Sequence, residues 1–121
     1  MHKTSIVERV IAVVVALTAA AHGVQAITGR ASQDPRALVA EHVLVAIVGL
    51  IAGYGLWRGA RWAPWALAGN GVLIAALIVS LGPLLQMDAA ARGGLWTGAV
   101  TIALITAAGA WYVRRRVAVA S

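Results

Sequence analysis

The sequence predicts an all-α integral membrane protein, a single four-helix bundle that occupies residues 1–121. Hydrophobic side chains make up 61% of the chain and charged ones only 12%. The apolar residues fall into four runs, each close to the roughly 20 residues that a membrane-spanning helix needs. Short connections between the runs carry the glycine, proline and polar residues that are typical of turns at a membrane surface. No stretch remains for a sizeable soluble domain.

The first predicted helix covers Val10 to Ile27 and contains Thr18, His22 and Gln25 as its polar residues. A short basic arm precedes it. A basic arm and an apolar core are also typical of a secretory signal peptide, but we expect this helix to be retained as a membrane span. The polar connection that follows, residues 28–36, must lie at one membrane surface because its backbone needs hydrogen-bond partners.

The second predicted helix runs from Ala37 to Trp57 and follows Asp34 and Pro35, which are common helix-start residues. A tight basic turn joins it to the third helix, Trp62 to Gln86. The fourth helix, Leu95 to Val113, is expected to end at a run of three arginines. The connections are therefore short, and consecutive helices are antiparallel.

The basic residues are distributed unequally between the two sides that this topology defines. The side with both termini carries seven Lys and Arg residues, against three on the other side. The positive-inside rule therefore predicts cytoplasmic termini, in what we expect to be a bacterial cytoplasmic (inner) membrane. The side chains expected at the membrane interface are Trp57, Trp62, Trp65, Trp96, Trp111, Arg58, Arg61, Arg114, Arg115 and Arg116.

The net charge of +6 does not predict a nucleic-acid partner, because the basic residues flank apolar runs and do not form one soluble face. The expected partners are the lipid bilayer and other membrane subunits or further copies of the chain. Gly49 and Gly53 form a small-xxx-small pattern in the middle of the second helix, where it predicts close helix packing. Asn70 is expected to tie helices together through its amide.

Ionisable residues at membrane depth define one candidate site. His22 lies five residues before the end of the first helix, and His42 about five after the start of the second, so both are expected roughly 7 to 8 Å below the same surface. His42 shares a helix face with Gly49 and Gly53, whereas Glu41 is about 100° away around the helix. We therefore predict that His22 and His42 approach each other, with Glu41 in the same crevice or at its rim.

Several functions fit such a site. The two imidazoles could ligate one haem iron, or bind a divalent metal ion together with Glu41 or Asp88. Glu41 and His42 could instead relay a proton or hold a cationic substrate. A purely structural set of hydrogen bonds is the simplest interpretation. The sequence shows no catalytic set, and it contains no cysteine, so we expect no enzymatic activity.

The size and the four-span plan resemble those of the small multidrug resistance transporters. That family's pattern requires a glutamate deep in the first helix, where this chain has Val13, Val14 and Val15, so its activity is not carried over. The function that we predict is a small subunit or accessory protein of a larger membrane assembly or homo-oligomer. The alternatives are a haem- or metal-binding redox protein that uses His22 and His42, and a small homo-oligomeric transporter with Glu41 as the coupling residue.

Overall fold

The structure is a computed structural model and describes residues 3–27 and 36–120. Four helices account for nearly all of these residues: α1 (Ile6–Ile27), α2 (Arg36–Arg58), α3 (Ala63–Leu84) and α4 (Ala89–Ala120). The described part of the chain contains no strand. The predicted all-helical, four-helix fold class is thus confirmed, while most of the connection between the first two helices lies outside the described residues.

All four helices have the length and composition needed to cross a membrane. The candidate spans contain 22, 20, 22 and 31 residues, against the roughly 20 residues that cover the hydrocarbon core of a bilayer. Large aliphatic side chains cover much of the outside of the bundle, including Val10, Val14 and Leu17 on α1. Such a surface is expected of a helical bundle that lies in lipid.

Helix α1 begins at Ile6, four residues before its predicted start, because Ser5 and Glu8 form a capping box. The Ser5 backbone N–H donates to Glu8 Oε2 at 2.6 Å, and the Glu8 N–H donates to Ser5 Oγ at 3.2 Å. These reciprocal bonds satisfy two amide groups that a helix N-terminus otherwise leaves without partners. Hydrophobicity alone does not detect such a start.

Helix α4 is longer than predicted at both ends. Its first turn is capped by Asp88, whose Oδ1 accepts a hydrogen bond from the Ala91 N–H at 2.8 Å. At the other end the helix continues through Arg114, Arg115 and Arg116 to Ala120, since arginine is a good helix former and no glycine or proline interrupts it. The arginines therefore extend the helix that they were expected to end.

Helices α2 and α3 each end next to a residue with a left-handed backbone conformation. Gly59 has a φ of 68°, and the Ala60 N–H donates to the Gly55 carbonyl at 2.8 Å. Gln86 has a φ of 52°, and the Met87 N–H donates to the Gly82 carbonyl at 2.9 Å. Both ends are Schellman motifs, in which a left-handed residue lets the last carbonyls find donors.

The helices pack in sequence order, α1 on α2, α2 on α3 and α3 on α4. The main buried cluster lies at the end of the bundle formed by residues 3–9, 58–62 and 113–120, which we call the basic end. Its buried members are Ala12, Leu56, Ala60, Ala63, Leu67, Ala110 and Val113. Helices α1 and α4 therefore meet at the basic end, where Arg116 Nε lies 3.7 Å from Glu8 Oε2.

Glycines set the closest approaches between helices. A Cβ atom added at Gly49 would lie 2.6 Å from the Ala19 Cβ atom, and one added at Gly53 would lie 3.1 Å from the Ala12 carbonyl oxygen. Both predicted packing glycines thus lie at the contact of α2 with α1. Gly71 plays the same part between α3 and α4, because an added Cβ atom would overlap Thr106.

Candidate functional site

The two predicted histidines lie next to each other between α1 and α2. The ring centroids of His22 and His42 are 5.6 Å apart, and the ring planes are tilted by 41°. Both side chains are half-buried. The helical repeat explains this arrangement, because each residue is about five positions from the helix end at the same end of the bundle.

The orientation of His22 is fixed by its own helix. Nδ1 lies 2.8 Å from the Thr18 carbonyl oxygen, and since a carbonyl oxygen only accepts, Nδ1 carries the proton. In the neutral ring, Nε2 then keeps its lone pair, which is the form that binds a metal ion or a further proton. The Thr18 hydroxyl donates to the Val14 carbonyl at 2.8 Å and takes no part in this arrangement.

Glu41 lies against a different helix from the one that carries His22. Its Oε1 accepts a hydrogen bond from the Ser80 hydroxyl of α3 at 3.1 Å, and its Oε2 is buried without a hydrogen-bond partner. Within residues 3–27 and 36–120, no three His, Cys, Asp or Glu side chains are grouped so that they could hold a metal ion. The structure thus brings the two imidazoles together without adding Glu41, and Asp88 serves as the cap of α4.

Asn70 occupies the centre of the bundle. Its side chain is 4% exposed, and its Oδ1 has no hydrogen-bond partner. This oxygen lies close to Gly49, where an added Cβ atom would be 3.1 Å from it. A buried amide oxygen without a hydrogen-bond donor costs about 1 to 3 kcal/mol of stability. The Asn70 side chain is therefore an unsatisfied hydrogen-bond acceptor inside the bundle.

Asn70 also borders a cavity of about 370 Å³ between α1 and α4, which we call the α1–α4 cleft. Val14 and Thr18 of α1 form one wall, and Ile102 and Ile105 of α4 form the other. Helices α1 and α4 are not packed along their length in the described part of the chain, so the cleft between them opens sideways toward the surroundings of the bundle. Its volume is within the range of small-ligand pockets.

Arginine and tryptophan side chains pair at the basic end. The guanidinium carbons of Arg9, Arg114 and Arg115 lie 5.4, 5.3 and 4.8 Å from the ring centroids of Trp57, Trp65 and Trp111, respectively. Arg58 and Arg61 are exposed beside them, as is Trp62, while Trp96 is exposed toward the opposite end. These are cation–π distances, and the arrangement resembles an interfacial aromatic belt.

Two functional contacts were not apparent in the sequence. Glu8 and Arg9 are neighbours in the sequence, yet Glu8 is buried and pairs with Arg116, whereas Arg9 lies over the ring of Trp57. The Ser5 to Glu8 spacing is a capping-box signal that could have placed Glu8. Nothing in the sequence marks Ser80 as the partner of Glu41, because 39 positions separate them.

The geometry allows two kinds of binding. The paired imidazoles can share a proton, an ion or a water molecule, and the cleft beside Asn70 can accept an apolar group. No protein-family model, curated protein or solved structure matches this chain.

Proposed function

We propose that this protein is a small four-span membrane subunit, which completes its packing by accepting a transmembrane helix in the α1–α4 cleft. The helix would come from a second copy or from another subunit of the same assembly. The observation that carries the proposal is the cleft itself, with the unpartnered Asn70 oxygen behind it. A rotation of the Asn70 amide exchanges its two polar atoms, so an entering helix could meet either one.

The outer face of α4 supports the same function. At 100° per residue, four exposed residues, Gly94, Thr97, Thr101 and Ala108, lie within about 60° of one another and opposite the buried Ala99 and Ala110. A face that contacts only lipid needs no small residues, and α1 instead exposes Val10, Val13, Val14 and Leu17. Small residues and threonines are enriched where transmembrane helices meet.

Cysteine crosslinking tests this proposal, because the chain contains no cysteine. Ile105→Cys places a thiol in the cleft, and Ile51→Cys is the control on α2, since these isoleucines are 64% and 50% exposed. After reaction with a photoactivatable maleimide in membranes, we expect one defined adduct from position 105, either a dimer of the 12.5 kDa chain or a conjugate with one stoichiometric partner. Equal or absent crosslinking at both positions, with a monomer in mild detergent, would contradict the proposal.

We also propose that the termini face the cytoplasm. Of the cations whose side chains the structure describes, Arg92 lies toward the opposite end, and seven lie near the basic end, namely Lys3, Arg9, Arg58, Arg61, Arg114, Arg115 and Arg116. This imbalance supports cytoplasmic termini by the positive-inside rule. A bacterial inner membrane is the location that we propose on the same basis.

The 5.6 Å distance between the two imidazoles favours a second candidate function, an ion or cofactor site at His22 and His42. Metal analysis and an absorption spectrum of the purified protein test it. We expect bound metal or a haem band that is lost in His22→Ala and His42→Ala and kept in Gln25→Ala, the control on α1. Absence of both signals from the wild-type protein would exclude this function.

The buried Oε2 of Glu41 favours a third candidate, a transporter in which Glu41 couples substrate to protons. This function predicts that Glu41→Gln abolishes proton-dependent uptake of a cation by proteoliposomes, while Ser80→Ala, which keeps the carboxyl group, retains uptake. Equal uptake by the wild type and Glu41→Gln would exclude the coupling role.

A further inference from the structure

A second cleft lies between α3 and α4 at the basic end, and we call it the Trp cleft. Its volume is about 230 Å³, and its sides are formed by Trp65 and Trp111. The floor consists of small side chains, including Ala68, Ala107 and Ala110. Small residues on two packed helices leave a furrow between the rings, which is open to the side.

Two guanidinium groups lie over the tryptophan rings that form the sides of this cleft. Arg114 lines the cleft and lies 5.3 Å from the centre of the Trp65 ring, and Arg115 lies 4.8 Å from that of Trp111. At these distances cation–π attraction holds each guanidinium over its ring, and this attraction does not use up the five N–H donors of the group. Both tryptophans therefore hold an arginine in place while leaving its hydrogen-bond donors available to an anion.

No carboxylate of the described residues neutralises these two arginines. Glu8 is the acidic residue at the basic end, and it is paired with Arg116, while Glu41 and Asp88 lie toward the opposite end and contact Ser80 and Ala91. The Trp cleft thus combines an apolar furrow with two cations that no carboxylate of residues 3–27 and 36–120 neutralises. The complementary ligand has a negative headgroup attached to a hydrocarbon chain.

We propose that the Trp cleft is a binding site for one anionic phospholipid. The phosphate accepts hydrogen bonds from Arg114 and Arg115, and one acyl chain lies between Trp65 and Trp111 over the alanine floor. Basic pockets between transmembrane helices at the cytoplasmic surface bind acidic lipid headgroups. The inference rests on the membrane placement in the proposed function and does not require a partner helix.

Native mass spectrometry of the purified full chain tests the headgroup contact. Phosphatidylglycerol and phosphatidylcholine with the same acyl chains are titrated in mild detergent, and we expect one phosphatidylglycerol to be retained in preference. Each arginine near an anionic lipid contributes about 1 kcal/mol, roughly a fivefold change in Kd, so the double variant Arg114→Gln, Arg115→Gln should weaken binding roughly 30-fold. Arg58→Gln, Arg61→Gln removes the same charge at the same end and should change the Kd less than about twofold, because these arginines neither line the cleft nor lie over Trp65 or Trp111.

A second pair of variants tests the acyl-chain contact without changing any charge. Ala107→Leu fills the Trp cleft and should lower retention of phosphatidylglycerol at least about fivefold, since a bulky side chain excludes the chain from the furrow. Ala108→Leu, on the neighbouring exposed position that does not line the cleft, should leave binding unchanged. Circular dichroism of both variants checks that the helices are intact.

Three results would overturn the inference. These are equal affinities of the wild type for the two lipids, equal losses in the two double-arginine variants, and displacement of the lipid by inorganic phosphate at a similar concentration. The first two indicate no built site, and the third indicates a phosphate site without a chain contact. Because the titration uses the isolated chain, a failure of the crosslinking experiment leaves its result intact, and the reverse also holds.

Discussion

Gln86 adopts a backbone conformation that suits glycine better than glutamine. Its φ of 52° lies in the left-handed region, which costs a residue with a Cβ atom about 1 to 2 kcal/mol. The side chain is exposed and makes no described hydrogen bond, so the conformation is imposed by the Schellman motif that ends α3. Gly59 ends α2 by the same motif without this cost.

Gln86→Gly should therefore stabilise the protein by about 1 kcal/mol. Unfolding in mild detergent, followed by circular dichroism, measures the change. Gln86→Ala is the control, because it removes the same side chain but keeps the Cβ atom. If both variants were equally stable, backbone strain at this position would not be the cause.

Glu8 combines a helix cap and an ion pair in one buried side chain. Glu8→Ala removes both and should destabilise the protein by more than the roughly 1 kcal/mol of a lost cap. Glu8→Gln keeps the acceptor that a capping box requires, so it should cost less. Thermal unfolding of the two variants gives the comparison, and equal losses would mean that the cap contributes nothing.

The sequence was informative about the two histidines because both are a fixed number of residues from a helix end at the same surface. Helical rise alone then places them at equal depth, and the structure brings the rings to 5.6 Å. The direction of Glu41 could not be predicted in the same way. Glu41 lies about 100° from His42 around α2, so its side chain can face either of the two helices that pack on α2. Its partner Ser80 belongs to α3, and the sequence does not define where α3 lies around α2.

At the scale of helices, the glycines differ in what surrounds them. An added Cβ atom at Gly49 would lie 2.6 Å from the Ala19 Cβ atom, whereas one at Gly69 would meet nothing within 4 Å. The two positions share a residue type and a helical backbone. They therefore separate the effect of packing from the effect of helix propensity.

Gly49→Ala should force α1 and α2 apart and destabilise the bundle by about 1 to 3 kcal/mol. Gly69→Ala should leave stability unchanged or raise it by up to about 1 kcal/mol, because alanine is the better helix former. Unfolding midpoints in one detergent measure both. If Gly69→Ala lost as much stability as Gly49→Ala, the tight α1–α2 contact would not be the reason for the loss at position 49.

Hydrophobicity located the end of α1 and both ends of α2 and α3 to within two residues, but not the start of α1 or either end of α4. The true starts of α1 and α4 depend on Ser5, Glu8 and Asp88, which are single polar side chains that cap a helix. Gly93 and Gly94 were expected in a turn, yet they lie inside α4. Once Asp88 starts the helix, each further residue adds a backbone hydrogen bond, and two glycines are not enough to stop it.

For the whole molecule, the unequal charge of the two ends predicts an orientation that thiol labelling can measure. Lys3→Cys lies at the basic end and Ala90→Cys at the opposite end, and both positions are exposed. In intact cells, an impermeant maleimide should label position 90, and position 3 only after permeabilisation, because positive segments stay in the cytoplasm. The reverse pattern would refute cytoplasmic termini.

Packing in sequence order was within reach of the sequence, since short connections make neighbours of consecutive helices. The α1–α4 cleft could not be predicted from the sequence. It depends on how far α1 and α4 separate from each other with increasing distance from the basic end. The Trp cleft likewise depends on three alanines that face each other across α3 and α4. Alanine is so common in this chain that its sequence positions do not mark these three.

The contact between Glu8 and Arg116 joins residues from nearly opposite ends of the chain. During synthesis, α1 with Glu8 is complete long before Arg116 has left the ribosome. The ring of helices consequently closes as the last event of assembly, and until then the side of α1 that will face α4 is accessible. The partner helix that we propose would have that interval in which to enter before the fourth helix arrives.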